Sequence, residues 1–122
     1  MDFNETYRQR TKRLTINVAK WYHSISKKDE VVRTFGRQLI RCTSSTAANF
    51  RAANRARSVA ERYAKMCIVV EENDEILFWM ECFEELDWVD TASLKPYYKA
   101  AYEILKIMSS TKRRIGEKVN KR

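Results

Sequence analysis

Apolar residues recur along most of this chain at three- and four-residue steps, the spacing of one face of an α-helix. From about residue 4 to 26 the stripe is Tyr7, Leu14, Val18, Trp21, Tyr22 and Ile25. Ser26, Lys27 and Lys28 interrupt it, and Asp29 can cap a second helix over about 29–54. That helix has the stripe Val32, Phe35, Leu39, Thr43, Thr46, Phe50 and Ala53. Ser58 followed by Glu61 is a capping-box pattern and opens a third helix, about 58–88. Its apolar residues point nearly everywhere: Tyr63, Met66, Val70, Leu77 and Met80 on one flank, and Ile68, Val69, Ile76, Trp79 and Phe83 around another. A fourth helix, about 93–114, tolerates Pro96 in its first turn and carries Leu94, Tyr97, Tyr98, Ala101, Ile104, Leu105, Met108 and Ile115. Residues 115–122 read as a fraying basic tail.

Four long helices with three short connections favour antiparallel neighbours, so the expected fold is all-α: one up-down-up-down four-helix bundle spanning residues 1–122. The third helix is apolar on more sides than one core uses, which predicts a second buried side against another subunit, with Ile68, Val69, Ile76, Trp79 and Phe83 at the oligomer interface.

The composition agrees with long helices, since 122 residues include only two Gly and one Pro. Cys42, Cys67 and Cys82 are odd in number and lack a C-x-x-C spacing, so they signal neither a disulfide framework nor a zinc site and read as small packing residues. A reduced cytoplasm is the expected location. The N-terminal MDFNETYRQR lacks the apolar core of a signal peptide, and no apolar run is long enough for a membrane span.

Charge sharpens the picture, because it is sorted into blocks. Residues 1–58 hold 13 Lys and Arg against 4 Asp and Glu, residues 59–93 hold 2 against 10, and residues 94–122 hold 9 against 2. The acidic third helix would sit between basic neighbours, and a net charge of +8 leaves surplus positive surface for nucleic acid or an acidic protein. On the second helix, with Phe35 as origin and 100° per residue, Arg33, Arg37, Arg41, Arg51 and Arg55 fall at about 160° to 240°, opposite the apolar stripe. Guanidinium forks along about 33 Å of helix suit a row of phosphates. A solvated face, or one paired with third-helix carboxylates, is the competing reading. Lys112, Arg113 and Arg114, with Lys118, Lys121 and Arg122, form a second cluster that is either a phosphate-binding arm or a solubility tail.

Catalysis finds no machinery. A lone histidine, His23, follows no Glu at the spacing of a di-iron bundle site, so Glu71, Glu72, Asp74 and Glu75 are expected in ion pairs rather than on metal. Ser44, Ser45 and the cysteines lack a second histidine as base, and no Gly-rich phosphate loop exists. His23 reads as a surface or helix-end residue, and Trp79, Trp88, Tyr97 and Tyr98 as core or subunit interface. Thr46 and Asn49 are expected to make polar contacts inside the bundle, with a partly buried Glu near Asn49 and Arg51. No catalytic residue, cofactor or metal is predicted.

The run TSSTAANFRAANRARS at Thr43 to Ser58, followed by AKMCIVVEENDEILFWMECFEEL at Ala64 to Leu86, resembles the bacterial four-helix-bundle proteins encoded in intervening sequences of large-subunit (23S) ribosomal RNA genes. The same superfamily includes the accessory protein of diversity-generating retroelements. The resemblance spans about residues 5–113 and implies a bundle assembled as a ring, commonly a homopentamer, with a basic surface. For the retroelement member it implies binding of nucleic acid and of a reverse transcriptase. Two functions of different class are therefore expected: a non-enzymatic oligomeric RNA- or DNA-binding accessory protein that contacts phosphates, or a protein-interaction scaffold with little affinity for free nucleic acid.

Overall fold

A computed structural model describes residues 2–120, and the described residues are helical without strands. The helices are α1 (Phe3–Ser24), α2 (Glu30–Asn54), α3 (Val59–Glu85) and α4 (Lys95–Asn120), with one 3-10 turn, Ala92–Leu94, leading into α4. Each of the first three begins where a side chain satisfies an otherwise orphaned backbone N–H. Asp2 accepts from the amide of Glu5 at 2.7 Å, Asp29 from Val32 at 2.9 Å and Ser58 from Glu61 at 3.0 Å. Past the end of α3, Asp87 takes the left-handed backbone region at φ 71°, and the chain turns toward α4 with Trp88 exposed.

Consecutive helices pack side by side and antiparallel, and α4 closes the bundle against α1. The register can be read from individual contacts. Thr15 at mid-α1 donates to the carbonyl of Thr43 on α2 (3.1 Å), Arg41 on α2 reaches Glu72 and Glu75 on α3, and Asn73 on α3 donates to the carbonyl of Ala101 on α4 (3.1 Å). Gly36 on α2 makes room for the Tyr22 ring of α1: a Cβ there would collide with it. At Gly116 a Cβ would lie 2.8 Å from Tyr63 Cε1.

The core contains Leu14, Val18 and Trp21 from α1, Val32, Leu39 and Phe50 from α2, Met66, Val69, Ile76, Met80 and Phe83 from α3, and Ala101, Ile104 and Met108 from α4. Phe83 is its aromatic centre, edge-on to Trp21 (5.0 Å between centroids) and to Phe35 (5.8 Å). Four threonines and one amide, Asn73, are the buried polar side chains among the described residues. The Nδ2 of Asn73 is satisfied by Ala101, and its Oδ1 has no partner among the described residues, a cost of about 1–3 kcal/mol for a buried acceptor.

Three expectations change. Val69, Ile76 and Phe83, read as subunit interface, are fully buried in the chain's own core, because α3 lies between α2 and α4 and spends its apolar sides on both. Ile68 and half-buried Trp79 keep some surface, and Phe78, 54% exposed, is the larger apolar group on the outside of α3. Next, the expected tail from residue 115 is helix as far as Asn120, since Ile115 and Gly116 are buried and Tyr63 packs over Gly116. Lys121 and Arg122 lie outside the described residues. Finally, Thr46 and Asn49 bond within their own helix, to the carbonyls of Cys42 (2.7 Å) and Ser45 (2.9 Å). The partly buried carboxylate is Glu72, beside Arg41 and not beside Arg51.

Candidate nucleic-acid interface

Antiparallel packing brings the start of α1, the end of α2, the start of α3 and the end of α4 to one end of the bundle. Arg8, Arg51, Arg55, Arg57, Arg62, Lys112, Arg113 and Arg114 gather there against Asp2, Glu5, Glu61 and Glu117. At the opposite end Lys27, Lys28, Arg33, Arg37 and Lys95 are met by Asp29, Glu30, Glu81, Glu84, Glu85, Asp87 and Asp90. The molecule is therefore polarised along its axis, with one strongly basic end. The two clusters read separately in the sequence, on the second helix and near the C-terminus, meet there through Arg51, Arg55 and Lys112–Arg114.

The five arginines of α2 do not act as one row. Arg41 Nη1 lies 2.9 Å from Glu72 and Nη2 lies 2.7 Å from Glu75, so the carboxylates of α3 neutralise it. The hydrogen bond to Glu75 raises the Arg41 pKa above its usual value. Burial holds Glu72 above the usual carboxylate range, with the Arg41 charge opposing it. Arg41 is removed from the phosphate-binding set for that reason. Arg37 lies 3.7 Å from Glu30, both side chains largely in water, and such a pair contributes about 0 to 1 kcal/mol. Arg33, Arg51 and Arg55 are exposed. Arg55 also closes α2, its backbone N–H donating to the Ala52 carbonyl at 3.0 Å.

From the basic end a groove of about 560 Å³ runs between α1 and α2. Arg8 and Lys12 line one wall, one helical turn apart, and Arg51 stands on the other. Small or apolar residues, Ser44, Ala47, Ala48 and Ile16, form much of its surface, and among the described residues no carboxylate lines it. Arg8 is held in place by Asn54, whose Oδ1 accepts from Nη1 at 2.8 Å, while Asn54 Nδ2 is buried without a partner among the described residues. The α1/α4 groove, about 510 Å³, is different: Glu103 lines it along with Arg10 and Arg13.

Arg8 and Lys12 were not singled out in the sequence. The signal for them is the hairpin register. The short link between α1 and α2 forces antiparallel pairing, in which facing residues have numbers adding to about 60, as Thr15 with Thr43 and Tyr22 with Gly36 do. Arg8 and Lys12 then fall opposite the stretch that contains Ala47, Ala48 and Arg51.

His23 is exposed near the end of α1, and its carbonyl accepts from Lys28 Nζ at 3.4 Å. Trp79 packs on Phe35 (5.4 Å), Trp88 is 60% exposed, and Tyr98 donates to Glu81 at 2.9 Å, the bond that raises its phenol pKa. Cys42 is buried, Cys67 and Cys82 half-buried, and all three are free thiols. Burial pushes the Cys42 thiol up to about 12. Among the described residues no three His, Cys, Asp or Glu side chains cluster as a metal site requires. No described helix is long and apolar enough to cross a membrane.

No family model matches the chain, and no curated protein matches it. Its structure is similar to the crystal structure of a protein with unknown function from the S23 ribosomal protein family of Bacteroides thetaiotaomicron VPI-5482. The two share 20% sequence identity over 90% of this chain and 97% of that one, with a TM-score of 0.75. The likeness is one of fold. It extends over 90% of this chain and fits a helical family.

Proposed function

We propose that this chain is a non-enzymatic nucleic-acid-binding protein of the ribosomal-RNA intervening-sequence kind, located in the cytoplasm, that holds RNA or DNA by its phosphates. The observation that carries the reading is the gathering of cations from all four helices at one end, continuous with a groove that no described carboxylate lines. Arg51, Arg55, Lys112, Arg113 and Arg114 supply the contacts predicted from sequence, Arg8 and Lys12 extend them, and Arg33 and Arg37 lie toward the opposite, mixed-charge end. Phosphate contacts of this sort position a nucleic acid without reading its bases. Affinity is expected to fall linearly with salt on logarithmic axes, with a slope of several units.

Fluorescence anisotropy of labelled RNA and DNA at several salt concentrations tests this. Charge reversal of Arg55 and Arg113 together abolishes binding, whereas reversal of Arg33 and Arg37 leaves most of it. No binding at low salt, or equal loss from both double reversals, refutes the assignment of the site.

A second reading rests on Phe78. A ring 54% exposed on α3, next to Trp79 (4.9 Å between centroids) and surrounded by carboxylates, suits a protein contact better than a nucleic-acid one. Self-association through Ile68, Phe78 and Trp79, in the ring or homopentamer that the family resemblance implies, would multiply weak phosphate contacts. The same surface serves the alternative role, a scaffold that docks a reverse transcriptase or another protein. Sedimentation of the Phe78→Glu variant separates these: a smaller particle supports self-association, and an unchanged one leaves the ring to be dropped.

A further inference from the structure

We infer that the ligand of the α1/α2 groove is the sugar-phosphate backbone of a duplex, and that a single strand of the same sequence binds less well. This rests on the nucleic-acid reading above and adds the class of nucleic acid. Proteins that take single strands offer aromatic platforms on which splayed bases stack. Among the described residues no ring lines this groove. At the same end Phe3, 40% exposed, packs tilted against Tyr7 at 4.8 Å and approaches Phe50 at 6.5 Å, and Arg10 lies over Tyr7 at 5.1 Å.

What the groove does offer matches a backbone whose bases are turned away. Arg8 and Lys12 are four residues apart, about 6 Å along the helix, and Arg51 faces them across a surface of Ser44, Ala47 and Ala48. Cations on both walls can meet successive phosphates of one strand, and the small side chains between them let sugar edges approach closely. A duplex also presents twice the phosphate density of a single strand to the basic end beyond the groove. The contacts involve no base edge, so the inference includes indifference to sequence.

The test is anisotropy of a labelled DNA duplex and of its isolated strand, at matched salt, with the wild-type chain and four variants. Binding of the duplex at least tenfold tighter than the strand is expected. Ala48→Trp, which fills the groove at an exposed position without changing charge, should weaken duplex binding at least tenfold. Lys12→Gln and Arg51→Gln should each flatten the log-log salt slope by about 0.9, the share of one phosphate contact. Phe3→Ala should leave affinity unchanged. A strand that binds as tightly as the duplex, or loss of binding in Phe3→Ala with Ala48→Trp unaffected, overturns the inference and leaves the nucleic-acid reading intact. If neither ligand binds the wild-type chain at low salt, both fall. Circular dichroism and urea denaturation confirm that each variant is folded, and the two Gln variants decide the matter if Ala48→Trp is not.

Discussion

Helix α2 has two seams, and they are opposites. Toward α3 it is packed and neutralised: Phe35 meets Trp79 and Phe83, and Arg41 is shared between Glu72 and Glu75. Toward α1 its lower half opens into a groove whose charged residues, Arg8, Lys12 and Arg51, all have one sign. Arg41 and Arg51 are the same residue type on one polar face but about 80° apart around the helix, so Arg41 turns toward α3 as an internal partner and Arg51 turns toward α1 as surface. Availability of a cation is thus decided by the helix next to it. A basic face next to an acidic helix is largely consumed, and one next to another basic helix is left to recruit anions from outside.

The sharpest way to break this comparison is truncation of the packed seam. Phe83→Ala removes a fully buried ring and is expected to cost about 3–5 kcal/mol, whereas Ala48→Trp in the open seam should change stability by no more than about 0.5 kcal/mol. Urea denaturation measures both, and similar values for the two would deny that the seams differ. Next in size is the arginine pair. Arg41→Ala strands Glu72 half-buried without its partner and should cost about 1–2 kcal/mol after allowance for solvent screening. Arg51→Ala should be silent in stability while weakening phosphate binding.

A smaller effect concerns pH. Glu72 is held above the usual carboxylate range by burial, so the folded state keeps its proton more tightly than the unfolded state does. The stability it adds is fully present below the unfolded pKa and is lost as pH rises through the folded one. Compared with wild type, Glu72→Gln should therefore show a flatter decline in stability just above the usual carboxylate range, by under about 1 kcal/mol given partial solvent screening. A steeper decline in the variant would mean that Arg41 outweighs burial. The smallest expected change is at the exposed Arg37 and Glu30 pair, where Arg37→Ala should alter stability by less than about 0.5 kcal/mol.

Much of the fold was legible because apolar spacing and caps agree. The stripe from Val32 to Ala53 and the caps Asp29 and Ser58 place α2 and the start of α3 within a residue or two of their observed limits. The end of α4 was hidden by charge: Lys112, Arg113, Glu117 and Lys118 made Gly116 and Val119 look like part of a solvated tail, although Ile115 continues the apolar stripe and Tyr63 was available to cover Gly116. Asn73 was hidden for the converse reason, since an asparagine within an acidic run looks exposed until α4 presents the Ala101 carbonyl. For α3, apolar residues all round were read as a subunit contact, when two flanking helices of the same chain absorb most of them. Of the candidate site, Arg51, Arg55 and Lys112–Arg114 were visible as residues, but their convergence and the part played by Arg8 and Lys12 depend on helix register, which no single helix encodes.

Cys42 gives the bundle an internal clock. Its thiol sits in the core with Sγ donating to the Leu39 carbonyl at 3.3 Å, and burial keeps it protonated at neutral pH. Only a thiolate reacts readily with an alkylating reagent, so in the folded chain Cys42 is doubly protected, by access and by ionisation. Half-buried Cys67 and Cys82 have more access and would be labelled first. Once both are replaced by Ser, the rate at which Cys42 is modified counts the moments when α2 leaves its neighbours, and it does so under native conditions, with no denaturant present.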